Sequence, residues 1–109
     1  MTVLELLSLP DFSPVAIPCP NREIKGAYIG DLLSWVMGRA KEGSLWLTIM
    51  SNVNVLAVAS LADVAAVVFT EAVSPDKKMI EAALEKGINL ISTPLPAYEA
   101  AKILAELGL

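Results

Sequence analysis

With 109 residues, the chain has room for one hydrophobic core, which excludes an arrangement of several domains. Its hydrophobic content of 55% is high and its charged content of 18% is low, which is typical of strands covered on both faces or of an apolar surface used for association. The net charge of −4 argues against a nucleic-acid partner, because affinity for phosphate backbones depends on clustered positive charge.

The sequence also argues against a membrane or secreted protein. The most apolar window, Val53 to Phe69, is divided by Asp63 into runs too short to span a bilayer. The N-terminus has no basic segment and carries Glu5, unlike a secretory signal. A single Cys19 has no partner for an internal disulfide and indicates a reducing compartment. We therefore predict a cytoplasmic protein that contacts no membrane.

The first 23 residues are the least regular part of the chain, and we expect them to pack on the main domain as a Pro-rich segment. Val3 to Leu9 fits either a short helix or a short strand. Four prolines then punctuate the segment and leave Val15 to Ile17 as a short edge strand. The regular domain is predicted to span residues 24–109.

From residue 24 onward, short apolar runs alternate with longer amphipathic stretches. Ile24 to Ile29 predicts a strand, and the stretch from Gly30-Asp31 to Ala40 predicts a helix because its apolar residues recur at helical spacing. Leu45 to Ile49 predicts the second strand of this series. Ser51-Asn52 offers a cap for a helix that ends near Leu61.

The second half of the chain continues this alternation. Ala65 to Phe69 is a continuous apolar run of the kind found in buried parallel strands. Ser74-Pro75-Asp76 predicts the start of a helix, with the Ser as its cap, and Gly87 predicts its end. Asn89 to Ile91 predicts the next strand, and Pro96 begins the last helix.

Strands and helices that alternate through short connections predict an α/β fold, here a single small domain whose mainly parallel sheet is flanked by helices. In such sheets, ligands bind beyond the carboxyl ends of the strands. The turns at those ends carry seven polar candidates for a ligand site: Asp31, Ser51, Asn52, Thr70, Glu71, Ser92 and Thr93. Each of them could instead cap a helix or form an ordinary turn, and only their grouping at one edge favours a ligand.

Groups that could perform catalysis are scarce. The chain contains no His, which removes the commonest general base and metal ligand. The phosphate-binding motifs GxxxxGK[ST] and GxGxxG are absent. Cys19 lies between two prolines with no His to activate it. We therefore predict a protein without catalytic residues, metal or cofactor.

Trp35 and Trp46 have two interpretations, because either can fill the core or contribute to a subunit interface. Trp35 lies off the main apolar stripe of its predicted helix, and Trp46 alternates with two leucines on a strand. Aromatic side chains are enriched in interfaces, and an exposed apolar patch is often functional. We predict a homodimer, with Trp35 and Trp46 as candidate interface residues and the filling of the core as the default interpretation of each.

Two segments in order, GAYIGDLLS and SPDKKMIEAALEKGINLISTP, resemble the DRTGG domain, which is related to the N-terminal domain of HPr kinase/phosphorylase. The resemblance implies that fold and a non-catalytic module of the kind found inside some phosphotransacetylases and CBS-containing pyrophosphatases. It also implies a nucleotide or phosphate ligand. Kinase activity is not implied, because in HPr kinase that activity belongs to a separate P-loop domain.

Both motifs that name the family are altered in this chain. The Asp-Arg pair expected after the second strand of the domain appears as Asn52-Val53, and the Thr-Gly-Gly expected after the buried strand appears as Thr70-Glu71-Ala72. If the two glycines admit a ligand close to the backbone, this chain has lost that approach or changed its ligand.

We therefore expect a regulatory module that senses a small phosphorylated metabolite or nucleotide. The alternative is a protein–protein interaction or scaffold subunit, accessory to the hydrogenase-type redox or signalling systems of anaerobes that the resemblance suggests.

Overall fold

The computed structural model describes residues 1–109 and contains a five-stranded sheet between two layers of helices. The strands are β1 (Ser13–Ala16), β2 (Gly26–Ile29), β3 (Ser44–Thr48), β4 (Ala66–Phe69) and β5 (Leu90–Ser92). The helices are α1 (Val3–Leu6), α2 (Leu33–Arg39), α3 (Asn54–Ala62), α4 (Lys77–Lys86) and α5 (Ala97–Glu106). None of them combines the length and the apolar character that crossing a bilayer would require.

The sheet has the order β1-β5-β4-β3-β2, with β1 antiparallel to β5 and every other pair parallel. From β2 to β5, each strand lies beside the one that precedes it in the chain. Right-handed crossovers therefore place α2, α3 and α4 on one face, where they pack around Trp46. Helices α1 and α5 cover the opposite face through Leu6 and Leu104. The predicted α/β fold with a mainly parallel sheet is confirmed.

The first 23 residues supply helix α1 and the edge strand β1. Of the two structures that fit Val3 to Leu9, the short helix α1 is the one that forms. The predicted edge strand at residues 15–17 begins earlier, at Ser13, and its register with β5 shifts between Pro14 and Ala16. The segment between β1 and β2 is held by Asn89, whose side chain binds the backbone N–H and C=O of Cys19.

Two predicted helix starts differ from the structure. Asp76, not Ser74, caps α4: its Oδ1 accepts a hydrogen bond of 2.9 Å from the backbone N–H of Met79. Helix α2 begins at Leu33 without a side-chain cap, because Asp31 binds a neighbouring strand instead. The predicted end of α4 is confirmed, since Gly87 has the left-handed conformation that favours glycine.

Of the two interpretations of Trp46, filling the core is the one that applies, because the side chain is completely buried and cannot contribute to a subunit interface. It lies on β3 beneath the helices, and its Nε1–H donates a hydrogen bond of 2.8 Å to the carbonyl oxygen of Gly30. That bond satisfies the indole donor inside the core. Trp35, by contrast, is 53% exposed on α2 and stacks beneath the guanidinium of Arg39 at 3.7 Å.

Candidate functional site

The predicted ligand residues follow the carboxyl ends of four parallel strands, and the strand register brings these ends to one edge of the sheet. Two pairs of turns result. The turns after β2 and β3 are joined through Asp31, and the turns after β4 and β5 are joined through backbone hydrogen bonds. The two pairs differ in how many backbone groups they leave free for a ligand.

Asp31 organises the first pair of turns. Its Oδ1 accepts hydrogen bonds from the hydroxyl of Thr48, at 2.8 Å, and from the backbone N–H of Ile49, at 3.0 Å. The Thr48 hydroxyl in turn accepts one from the N–H of Met50 at 3.1 Å. Asp31 therefore fixes the course of the chain immediately before Ser51, and one of its carboxylate oxygens is already used in doing so.

Beyond this anchor, the backbone N–H groups of Ser51, Asn52 and Val53 make no hydrogen bond within the protein. They precede α3, which has no side-chain cap at Val53. The Asn52 Oδ1 accepts a hydrogen bond from the backbone N–H of Asn54 at 3.0 Å. This bond forms a local turn and leaves the backbone N–H of Asn52 free. Three consecutive free donors at a helix start favour an anion.

A groove of about 480 Å³ lies between this turn and the start of α4. Its one cation is Lys78, and its one carboxylate is that of Asp76, whose Oδ1 is used in capping α4. The groove therefore places the first turns of two helices and one ammonium group around the same space. Its lining residues are Ser51, Asn52, Val53, Asp76, Lys78, Met79 and Ala82.

The second pair of turns lies at the topological switch point, where ligands commonly bind, since α4 and α5 leave β4 and β5 toward opposite faces. Here the turns close on each other. The N–H of Glu71 donates to the carbonyl of Leu95, and the N–H of Ala72 donates to that of Thr93, both at 2.9 Å. The N–H groups of Thr70 and Val73 are bonded as well, so four consecutive backbone donors of this turn are already used.

The seven predicted site residues thus separate into groups. Ser51 and Asn52 line the groove, and Asp31 positions their turn. Thr70 and Thr93 are buried, so neither presents surface to a ligand, and the Thr93 hydroxyl accepts from the N–H of Leu95. The other two lie outside the groove, with Ser92 half-buried in β5 and Glu71 exposed.

Sequence reasoning missed five residues of the groove: Val53, Asp76, Lys78, Met79 and Ala82. Asp76 belongs to the helix start predicted at Ser74-Pro75-Asp76, but nothing in the sequence indicates that α4 begins beside the turn before α3. The adjacency of β3 and β4 in the sheet brings these two helix starts together. No three His, Cys, Asp or Glu side chains cluster anywhere in the structure in a way that could hold a metal ion.

Glu71 and Ala72 both have positive φ angles, of 57° and 60°, in the region that disfavours side chains other than glycine. Replacing Ala72 with Gly should therefore stabilise the protein by about 0.5 kcal/mol, since the strain relieved exceeds the entropy added to the unfolded chain. Ala57→Gly, on the exposed side of α3, should instead destabilise it by about 1 kcal/mol. Urea unfolding measures both changes, and equal destabilisation by both would contradict strain at Ala72.

The fold and the groove define a small α/β domain with free backbone donors at the carboxyl edge of its sheet. The DRTGG domain model matches residues 25–107, so the chain belongs to the DRTGG domain family. This confirms the family resemblance found in the sequence.

A solved structure shares the fold: the crystal structure of the CBS and DRTGG domains of the regulatory region of Clostridium perfringens pyrophosphatase, complexed with its activator diadenosine tetraphosphate. The TM-score is 0.70 and the sequence identity is 19%, over 92% of this chain and 43% of the other. This chain therefore spans less than half the length of that regulatory region. A comparison with curated proteins found no match.

Proposed function

We propose that this protein is a regulatory module that binds a small phosphorylated metabolite or nucleotide in the groove between the start of α3 and the start of α4. The observation that carries the proposal is the run of free N–H groups at Ser51, Asn52 and Val53, beside Lys78. Phosphate oxygens accept hydrogen bonds from such donors, and the positive ends of helix dipoles favour their charge.

Two further observations support a regulatory role. The chain belongs to the DRTGG family, and the pyrophosphatase region with the same fold is a regulatory region crystallised with a nucleotide activator. The groove offers donors and a cation but no His to act as a general base, which suits binding without turnover. The exposed free thiol of Cys19 suits the reducing conditions of the cytoplasm.

The altered family motif supports a weak or selective site. Val53 stands where the family resemblance leads us to expect Arg, and its side chain is 59% exposed at the groove. An apolar side chain there supplies no charge to a phosphate. We expect Val53→Arg to raise affinity for a nucleoside polyphosphate, because a guanidinium would join Lys78 at the same groove.

Replacing Lys78 with Gln should weaken phosphate-ligand binding about threefold to tenfold, the effect of losing one exposed cation beside the ligand. Lys77→Gln is the matched control, since Lys77 lies in the same helical turn and carries the same charge but does not line the groove. The measurement is calorimetry with ATP, ADP, diadenosine tetraphosphate and inorganic phosphate, after a thermal-shift screen.

The comparison of the two lysine variants separates a site from general electrostatics. If both variants lose affinity equally, the ligand responds only to net charge and the groove is not its site. If no phosphorylated compound in the panel binds the wild-type protein, the proposed function is wrong.

A further inference from the structure

The two edges of the sheet differ in how they are protected against pairing with another strand. At one edge, β1 contains Pro14 and an irregular register, both of which hinder the addition of a strand. At the other edge, β2 has the sequence Gly-Ala-Tyr-Ile, with no proline, no charge and a regular register along β3. Edges with none of these devices are ready to pair.

The hydrogen bonds of β2 show which residues face the open edge. The N–H of Gly30 donates to the carbonyl of Leu47, and Leu47 is the register partner of Ile29. In a parallel pair, backbone groups alternate in direction along the strand. Tyr28 and Gly30 therefore direct their backbone groups toward β3, and Ala27 and Ile29 direct theirs toward the open edge. This alternation does not extend back to Lys25, whose N–H donates to the carbonyl of Gly43 just before β3.

We propose that β2 pairs antiparallel with β2 of a second copy, across a two-fold axis at Tyr28, to form a continuous ten-stranded sheet. Ala27 then lies opposite Ile29 of the partner subunit, and Ile29 lies opposite Ala27 of the partner subunit. These two pairs make four backbone hydrogen bonds between the subunits. This register uses every outward-facing group of the strand. It is self-complementary, as a two-fold interface requires.

Charge complementarity argues for a second copy as the occupant. Lys25 and Asp31 lie three residues before and three residues after Tyr28, so the same register places Lys25 opposite Asp31 of the partner subunit at both ends of the interface. Lys25 binds both carboxylate oxygens of Glu42 in its own subunit, at 2.9 and 2.8 Å, but remains 59% exposed. Asp31 is also exposed, and only its Oδ1 is bonded within the subunit. Opposite charges facing each other stabilise an antiparallel pair.

Two four-residue strands cover too little surface on their own, since stable interfaces bury about 800 Å² on each partner. Further apolar surface lies on α2, which follows β2 directly: Leu32 is 61% exposed and Trp35 is 53% exposed. Arg39, stacked on Trp35, lines a groove of about 480 Å³ beside Gly26 and Tyr28. A two-fold axis normal to the sheet keeps both copies of α2 on the same face, so these side chains extend the interface.

Ala27→Pro tests the pairing directly. Proline removes the outward-facing N–H and spares the bonds to β3, a position at which an edge strand tolerates it. The dissociation constant of the dimer, measured by sedimentation over a range of concentrations, should rise about thirtyfold, because two hydrogen bonds are lost across the two-fold axis. Ala27→Val keeps the N–H and should leave the constant within about threefold.

Hydrogen exchange of the wild-type protein provides a second measurement that needs no variant. The amide protons of Ala27 and Ile29 should exchange slowly in the dimer and faster on dilution. The proposal is overturned if the wild-type protein is monomeric at every concentration, if Ala27→Pro dimerises as tightly as Ala27→Val, or if these two amides exchange rapidly in the dimer. The test does not depend on the phosphorylated ligand, so it can fail while the proposed function stands.

Discussion

Replacing Asn89 with Asp should destabilise the protein by about 3 kcal/mol, although the two side chains have nearly the same shape. Asn89 is buried, and its Nδ2 donates to the carbonyls of Cys19, at 2.8 Å, and Ala65, at 2.9 Å. Its Oδ1 accepts from the N–H of Cys19 at 2.9 Å. A carboxylate cannot donate, so both carbonyls would lose their partner and face a buried negative charge.

The loss of stability in the Asn89→Asp variant should depend on pH, and its direction can be stated. An acid buried beside two carbonyl oxygens has a pKa above its unfolded value, so the penalty is full at neutral pH and shrinks as the pH falls through that raised pKa. Asn21→Asp is the matched control, because Asn21 is exposed in the same N-terminal segment and should change stability by less than about 0.5 kcal/mol. Equal effects of the two variants in denaturant unfolding would show that the Asn89 amide does not hold the segment.

The regular elements could be predicted from the sequence because each carries a local signal. The apolar run before Thr70 indicates a buried strand, because a strand that is covered on both faces needs apolar side chains at every position. Gly87 has the αL conformation at the end of α4, a conformation that the residue type itself favours. The layers also follow from the order of the elements, since right-handed crossovers between neighbouring strands leave the helices no other face.

The differences arise where several residues compete for one role. Both Ser74 and Asp76 can cap α4, and the buried Pro75 between them does not decide which one does. Asp31 resembles a cap for α2, but the Thr48 hydroxyl on the adjacent strand binds its carboxylate instead. Thr48 is 17 residues away from Asp31 in the sequence. Whether Asp31 caps α2 or binds Thr48 therefore depends on strand pairing, which a local sequence pattern cannot predict.

The candidate site shows the same division. The edge of the sheet that carries it could be predicted, because parallel strands end together and their turns are polar. Which turn remains open could not be predicted, because it depends on hydrogen bonds between turns that are distant in sequence. The bonds from Glu71 and Ala72 close the turns at the switch point, while the turn at Asn52 keeps its donors free.

The two tryptophans, which the sequence treats alike, should respond in opposite ways to substitution. Trp46→Ala should destabilise the protein by about 3–5 kcal/mol, because it leaves a large cavity in a completely buried site. Trp46→Phe should cost about 1–3 kcal/mol, since it fills most of the space but leaves the carbonyl of Gly30 without its donor. Trp35→Ala should cost less than about 1 kcal/mol in dilute protein, because its side chain is half exposed.

Chemical denaturation of the three variants, followed by circular dichroism, measures these differences. A Trp46→Phe variant as stable as the wild type would show that the bond to Gly30 contributes nothing. Gly30 immediately precedes Asp31, which anchors the turn at Ser51. If the Trp46 bond fixes that corner of the chain, Trp46→Phe should also weaken phosphate binding at the groove, and Trp35→Ala should leave it unchanged. That result would show that phosphate binding depends on the buried N–H donor of Trp46 and not on the exposed ring of Trp35.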